Sequence, residues 1–85
     1  MDLTITRQQF DAIQNVKHLP DVLSKVLKKA SQQADGAVLH LTYEEATALS
    51  ELASWNVHTD DAGTITPESQ VFDMLVRAIM THPEY

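Results

Sequence analysis

Two stretches thirty-six residues apart carry the same signals in the same order: DLTIT at residues 2–6 leads into RQQFDAI, and VLHLT at residues 38–42 leads into YEEATAL. Leu3 and Ile5 alternate with Asp2, Thr4 and Thr6, and Leu39 and Leu41 alternate with Val38, His40 and Thr42. That period of two is the pattern of a short strand with one buried face. Each strand ends on a threonine followed three residues later by Gln9 or Glu45. In such a capping box the threonine oxygen takes the amide of the third helical residue, whose side chain reaches back, so a helix is predicted to start in both places. The first is predicted to run to about His18 with Phe10, Ile13 and Val16 inward. The second runs to about Asn56 with Ala46, Leu49, Leu52 and Ala53 inward.

A further helix follows each of these. Pro20 suits a first helical turn, where its missing N–H costs nothing, and Val22, Leu23, Val26, Leu27 and Ala30 follow at helical spacing until Asp35-Gly36 stops the helix. Lys25, Lys28 and Lys29 fall outside that apolar stripe. Downstream, Thr66 is the expected N-cap, Pro67 the first helical residue and Glu68 an acid favourable to the helix dipole. Val71, Leu75, Ala78 and Ile79 continue the pattern to about His82, and the segments V-L-K-K-A and M-L-V-R-A correspond. The extra length of the second unit, residues 57–66, reads as a loop or a small hairpin turning on Asp60, Asp61, Ala62 and Gly63.

A strand and two helices cannot bury their apolar faces alone, but two such units can pair strand to strand and interleave helices around one core. The 85 residues therefore form one domain made of strand-helix-helix units at 1–34 and 37–85. The expected class is α+β, mostly helical, with a two-stranded antiparallel ribbon and four helices in pseudo-twofold arrangement. In element order and apolar spacing, residues 2–34 and 38–82 resemble the ribbon-helix-helix family. The resemblance implies a ribbon that enters the DNA major groove and second helices whose N-termini lie near phosphates. Here the outward ribbon residues are Asp2, Thr4, Thr6, Val38, His40 and Thr42, where that family usually places Arg, Lys, Gln or Asn. Asp21 and Glu68 stand at the second-helix N-termini, where an anion should bind.

Charge argues in the same direction. The net charge is −6, with 12 acids against 6 bases. Residues 1–34 hold five bases and three acids, a net of +2, whereas residues 35–85 hold Arg77 alone against nine acids, a net of −8. A chain so balanced is poorly suited to phosphate, and its acidic half suits a basic partner.

Chemistry-bearing patterns are absent from the sequence. There is no cysteine, which removes disulfides, thiolate metal sites and a cysteine nucleophile. His18, His40, His58 and His82 make no i,i+4 pair and no compact cluster with carboxylates. Asp60-Asp61 lacks the oxygen ladder of a calcium loop, and Gly36 and Gly63 are too few for a phosphate cradle. Ser, His and Asp occur without a nucleophile elbow or a triad-like arrangement. The expectation is a protein without catalytic residues, metal or cofactor. The N-terminal residues carry no basic-then-apolar leader pattern and no run reaches membrane-spanning length, so a soluble cytoplasmic protein is expected.

The function read from these features is a small acidic, non-catalytic protein-interaction module: a regulator, adaptor or inhibitor of bacterial or phage type that docks on a basic partner surface. The residues expected to bind are Tyr43, Glu44, Glu51, Trp55, Asp60 and Asp61, in which aromatic anchors stand among acids. The last helix is apolar almost all round, with Phe72, Met74, Val76 and Met80 off its main stripe, so it is either the central helix or a surface for homo-oligomerisation. The alternative is a ribbon-helix-helix-like DNA-binding transcription regulator or antitoxin. In that reading Thr4, His40 and Thr42 touch bases, while Arg7, Lys25, Lys28 and Lys29 contact phosphates.

Overall fold

The computed structural model describes residues 1–85 apart from the side chain of Glu68, so the dipole role expected of that acid lies outside the described residues. The elements in order are β1 (Asp2–Thr6), α1 (Arg7–Gln14), α2 (Asp21–Lys29), β2 (Ser31–Gln33), β3 (Gly36–His40), α3 (Tyr43–Trp55) and α4 (Pro67–Met80). Helices hold about half of the chain.

Both capping boxes form. The Thr6 hydroxyl accepts from the Gln9 amide at 3.1 Å while Gln9 Oε1 accepts from the Thr6 amide at 2.9 Å. Thr42 and Glu45 make the same exchange at 3.1 and 2.8 Å. The two caps have nearly the same backbone, φ −76° and ψ 163° at Thr6 and φ −78° and ψ 167° at Thr42. Each turns an extended strand directly into a helix whose first free amides are satisfied.

The first helix stops earlier than its spacing predicts. Asn15 caps α1, and His18 adopts φ 59° in the left-handed region, one of the few non-glycine residue types that tolerates it. Pro20 then favours an extended Leu19 and excludes a continuous helix. Val16 is left outside α1 and only half-buried. In α2 the core positions are Leu23, Val26 and Leu27, whereas Val22, expected to face inward, is 40% exposed.

The sheet has three strands in the order β1-β3-β2, all antiparallel, rather than the two-stranded ribbon expected. The added strand lies where α2 was expected to continue. Ala30 turns extended at φ −62° and ψ 142°, and Ser31–Gln33 pairs with β3 across a turn at residues 34–35. Gln and Ser accept either conformation, so strand pairing decides the outcome against a mild helical preference. The β1–β3 register places Leu3 opposite Leu39 and Ile5 opposite Ala37. These four side chains line the inner face of the sheet. Phe10, Ile13, Leu23, Leu27, Leu49, Leu75 and Ile79 complete the core above it. The helix α4 packs on α3, α1 and β1, and α2 packs on α3 and β3.

Segment 57–66 forms the small hairpin: Thr59 bridges Ile65, the Asp60 carboxylate accepts from the amides of Ala62 and Thr64 at 2.9 and 3.0 Å, and Gly63 supplies φ 80°. Its base is fastened to α4 by Ser69, 2% exposed. The Ser69 hydroxyl accepts from the His58 amide and from Thr66 Oγ1 and donates to the Asn56 carbonyl. The expected N-cap hydroxyl of Thr66 is therefore engaged by Ser69 instead of a helix amide.

Gly36 sets how closely β1 approaches β3, because a Cβ there would clash with the Ile5 carbonyl oxygen. Gly36→Ala is expected to destabilise the fold by about 3 kcal/mol through forced strand separation. Thr42→Ala is expected to cost about 1 kcal/mol through loss of the cap. Urea unfolding of the two variants beside the wild type measures both.

Candidate functional site

Along α3, Glu44, Ala48, Glu51 and Trp55 follow at spacings of four, three and four, which stacks them on one outward stripe. Trp55 is 80% exposed, so it does not cap the core. It stands at the edge of an open groove that runs between the end of α1, the 15–20 turn, α3 and α4, with Val16, Pro20, Leu52 and Phe72 among the lining residues. Lys17 and His18 also line the groove. A second depression joins Trp55 to Pro20, Ala48 and Glu51. A large aromatic ring is thus left in water beside half-buried apolar side chains, with Glu44 and Glu51 exposed along the same helix.

The other residues expected at this site lie apart from Trp55. Tyr43 begins α3, about 18 Å from Trp55 along the helix axis. Its ring stacks on Tyr85 at 5.0 Å and 17° between planes, and the Tyr85 hydroxyl pairs with Thr47 Oγ1 at 3.1 Å. Tyr43 therefore holds the C-terminal residue in place. Asp60 spends one carboxylate oxygen on the amides of its own turn, and Asp61 is exposed beside it. On α4, Leu75 and Ile79 are fully buried, which makes α4 a core helix. Met74 and Met80 are exposed but about 120° apart around that helix, so they do not form one patch.

The residues of the DNA-binding alternative are dispersed in a similar way. Thr4, His40 and Thr42 are exposed, the first two on the outer face of the sheet, and Lys25, Lys28 and Lys29 are exposed on α2. Arg7 is committed within the fold. Its guanidinium donates to Gln32 Oε1 at 2.9 Å, the Gln33 carbonyl at 3.0 Å and the Gly36 carbonyl at 2.9 Å, and it lies 5.3 Å from the centre of the Phe10 ring. The planar fork suits this work, because one side chain ties both ends of the β2–β3 turn to the start of α1.

A cluster not foreseen from sequence lies on the outer sheet face. His40 Nδ1 is 2.9 Å from Asp2 Oδ1 and His40 Nε2 is 2.9 Å from Ser31 Oγ, so one hydrogen-bonded chain crosses all three strands. His82 Nε2 lies 2.9 Å from the Asp2 carbonyl. The hydrogen bond from His40 holds the Asp2 carboxyl below its ordinary range. Opposing the two strands about Leu3 and Leu39 places Asp2 across from His40. Ser31 carries no such signal, because the strand that presents it was not expected. Among the described residues, no three His, Asp or Glu side chains gather where a metal ion would sit. No helix among them is long and apolar enough to cross a membrane.

Arg7→Ala is expected to lower stability by about 2 kcal/mol and to speed amide hydrogen exchange selectively at residues 31–36, while Arg7→Lys restores little of either. The Asp2–His40 contact is expected to add stability at pH above the ordinary aspartate value, and to lose it as acid protonates Asp2 through its lowered value. Asp2→Asn should flatten that part of an acid unfolding curve. No protein-family model matches the chain, and neither a curated protein nor a solved structure matches it.

Proposed function

We propose that this chain is a small acidic protein-interaction module, a regulator, adaptor or inhibitor that docks on a basic partner surface through the outward stripe of α3. The observation that supports the reading most is the exposure of Trp55 at the lip of an apolar groove, on the same stripe as Glu44 and Glu51. Tryptophan beside half-buried apolar groups is the composition of an energetic anchor; Glu51, one turn away, and Glu44, further along the same stripe, select an elongated partner that carries lysine or arginine beside its own apolar side chains. The net charge of −8 over residues 35–85 steers such a partner toward this half. Asp60 and Asp61 add to the field rather than to the anchor, and Tyr43, stacked on Tyr85, takes part in neither.

A second reading keeps the ribbon-helix-helix plan, as an internal duplication with pseudo-twofold symmetry. The strand register favours it: Leu3 pairs with Leu39, its counterpart thirty-six residues on, and Asp2 with His40 and Thr4 with Val38 are then symmetry-related pairs. Buried Leu3, Ile5, Phe10 and Ile13 correspond to buried Leu39, Leu41, Ala46 and Leu49. The second helix of each unit also packs on the first helix of the other, α4 on α1 and α2 on α3. DNA binding would use the exposed Thr4, His40 and Thr42 of that ribbon, with phosphate contacts from Lys25, Lys28 and Lys29.

Trp55 is the single tryptophan of the chain, so its emission reports the proposed face directly. Titration with a basic amphipathic helical peptide should shift that emission to the blue, and Glu44→Lys with Glu51→Lys should weaken the affinity about tenfold or more at low salt. An acidic peptide of the same apolar pattern should give no shift. Undiminished binding by the double variant, or no shift with the basic peptide, would overturn the reading. Anisotropy of labelled duplex DNA at low and moderate salt tests the second reading, whose signature is a steep salt dependence.

A further inference from the structure

Each strand of the sheet supplies one member of the Asp2–His40–Ser31 chain. Asp2 on β1 faces His40 on β3 across a directly opposed pair, and Ser31 on β2 stands opposite Val38, diagonal to His40 on the same outer face. An ionised carboxylate only accepts hydrogen bonds, so Asp2 draws the imidazole proton to Nδ1 and leaves Nε2 as an acceptor toward Ser31. The Ser31 hydroxyl is then the donor, the polarity that a general base needs to activate a nucleophile. Both contacts are 2.9 Å, within reach for proton transfer. Ser31 and His40 are exposed and accessible to a reactant.

The surroundings fit the tetrahedral adduct as well. Gln33 and Gly36 close a two-residue turn, so they exchange both backbone hydrogen bonds, and the alternation of an antiparallel ladder turns the Gln32 N–H outward from the open edge. That amide immediately follows the serine, a position from which a backbone donor can meet an oxyanion. Val38, half-buried opposite Ser31, is the apolar side chain among Asp2, Thr4, Thr6, His40, Ser31 and Gln33 on this face, and it offers contact to a short acyl chain.

We propose that Ser31 is a nucleophile that accepts a short acyl group from an activated ester or thioester, with His40 as general base and Asp2 as the residue that positions it. The Ser31 oxygen forms a bond to the acyl carbon while its proton passes to His40 Nε2. Collapse of the adduct breaks the bond to the leaving alkoxide or thiolate, which takes that proton from Nε2. The products are acyl-Ser31 and a free alcohol or thiol, and hydrolysis of the ester by water releases the carboxylic acid and restores the hydroxyl. This goes beyond the docking role of α3 and does not rest on it, since the two faces share no residue.

The test is the reaction of the whole protein with an alkyl fluorophosphonate, whose phosphorus stands in for the acyl carbon and whose fluoride is the leaving group, followed by peptide mapping. Ser31 should be labelled at least about tenfold faster than the exposed Ser54 of the same chain, given the usual size of general-base assistance. His40→Gln should remove the difference. Asp2→Asn should reduce it, and Asp2→Glu should restore part of what Asp2→Asn loses. Equal labelling of Ser31 and Ser54 in the wild-type protein overturns the proposal without reference to any variant, as does a rate at Ser31 that is unchanged in a folded His40→Gln protein.

Discussion

The pairing of β1 with β3 is the contact on which the rest of the molecule depends. It joins residues 2–6 to residues 36–40, and β1 has no other strand beside it. Without it the chain would be a helical pair, a short hairpin and a second helical pair, each with an uncovered apolar face. With it, Leu3, Ile5, Ala37 and Leu39 become one floor on which α1, α2 and α4 rest, with α3 packed across α2 and α4. The entropy of closing so long a loop is offset only when that floor is covered, which makes sheet pairing and helix packing one cooperative event. Two local devices guide the pairing: the missing side chain at Gly36 lets the strands meet, and Arg7 ties the β2–β3 turn to the point where β1 becomes α1.

Where local chemistry dictates conformation, the amino-acid sequence was a reliable guide. The alternation of Leu3 with Ile5 and of Leu39 with Leu41, the two threonine capping boxes and the centres of the apolar stripes, Phe10 and Ile13, Ala46, Leu49 and Ala53, and Leu75 and Ile79, are all short-range signals, and the fold realises them, whereas Val16, Leu52, Val71 and Ala78 at the stripe margins are only half-buried. The third strand was hidden because Ser31-Gln32-Gln33 has no apolar alternation and no branched residue. It is a strand because a partner lies beside it. The end of α1 is not legible in the spacing either, since the left-handed His18 depends on how the 15–20 turn packs rather than on any strong residue preference.

The candidate sites divide along the same line. Trp55, Glu51 and Glu44 share a stripe because helical spacing fixes it, so that part of the face could be read in advance. Tyr43 neighbours Glu44 in sequence, yet it points off that stripe and its ring is taken up by Tyr85. The Asp2–His40–Ser31 chain shows the opposite effect, in which residues separated by 38 and 9 positions meet because three strands align. Histidine and serine are too common to signal anything until a register places them side by side.

The edges of the sheet carry a consequence for how the protein behaves in a crowded solution. Open edges are templates for the strands of other molecules, and proteins guard them with short, polar or covered segments. Here β2 offers three residues, all exposed and all uncharged polar, and the outer edge of β1 has its Asp2 carbonyl engaged by His82. Neither edge presents an apolar face on which a foreign strand could continue the core. Runaway strand addition of the kind that seeds fibrils is thereby disfavoured, and a chain with such a small interior can remain dispersed while still exposing a tryptophan elsewhere.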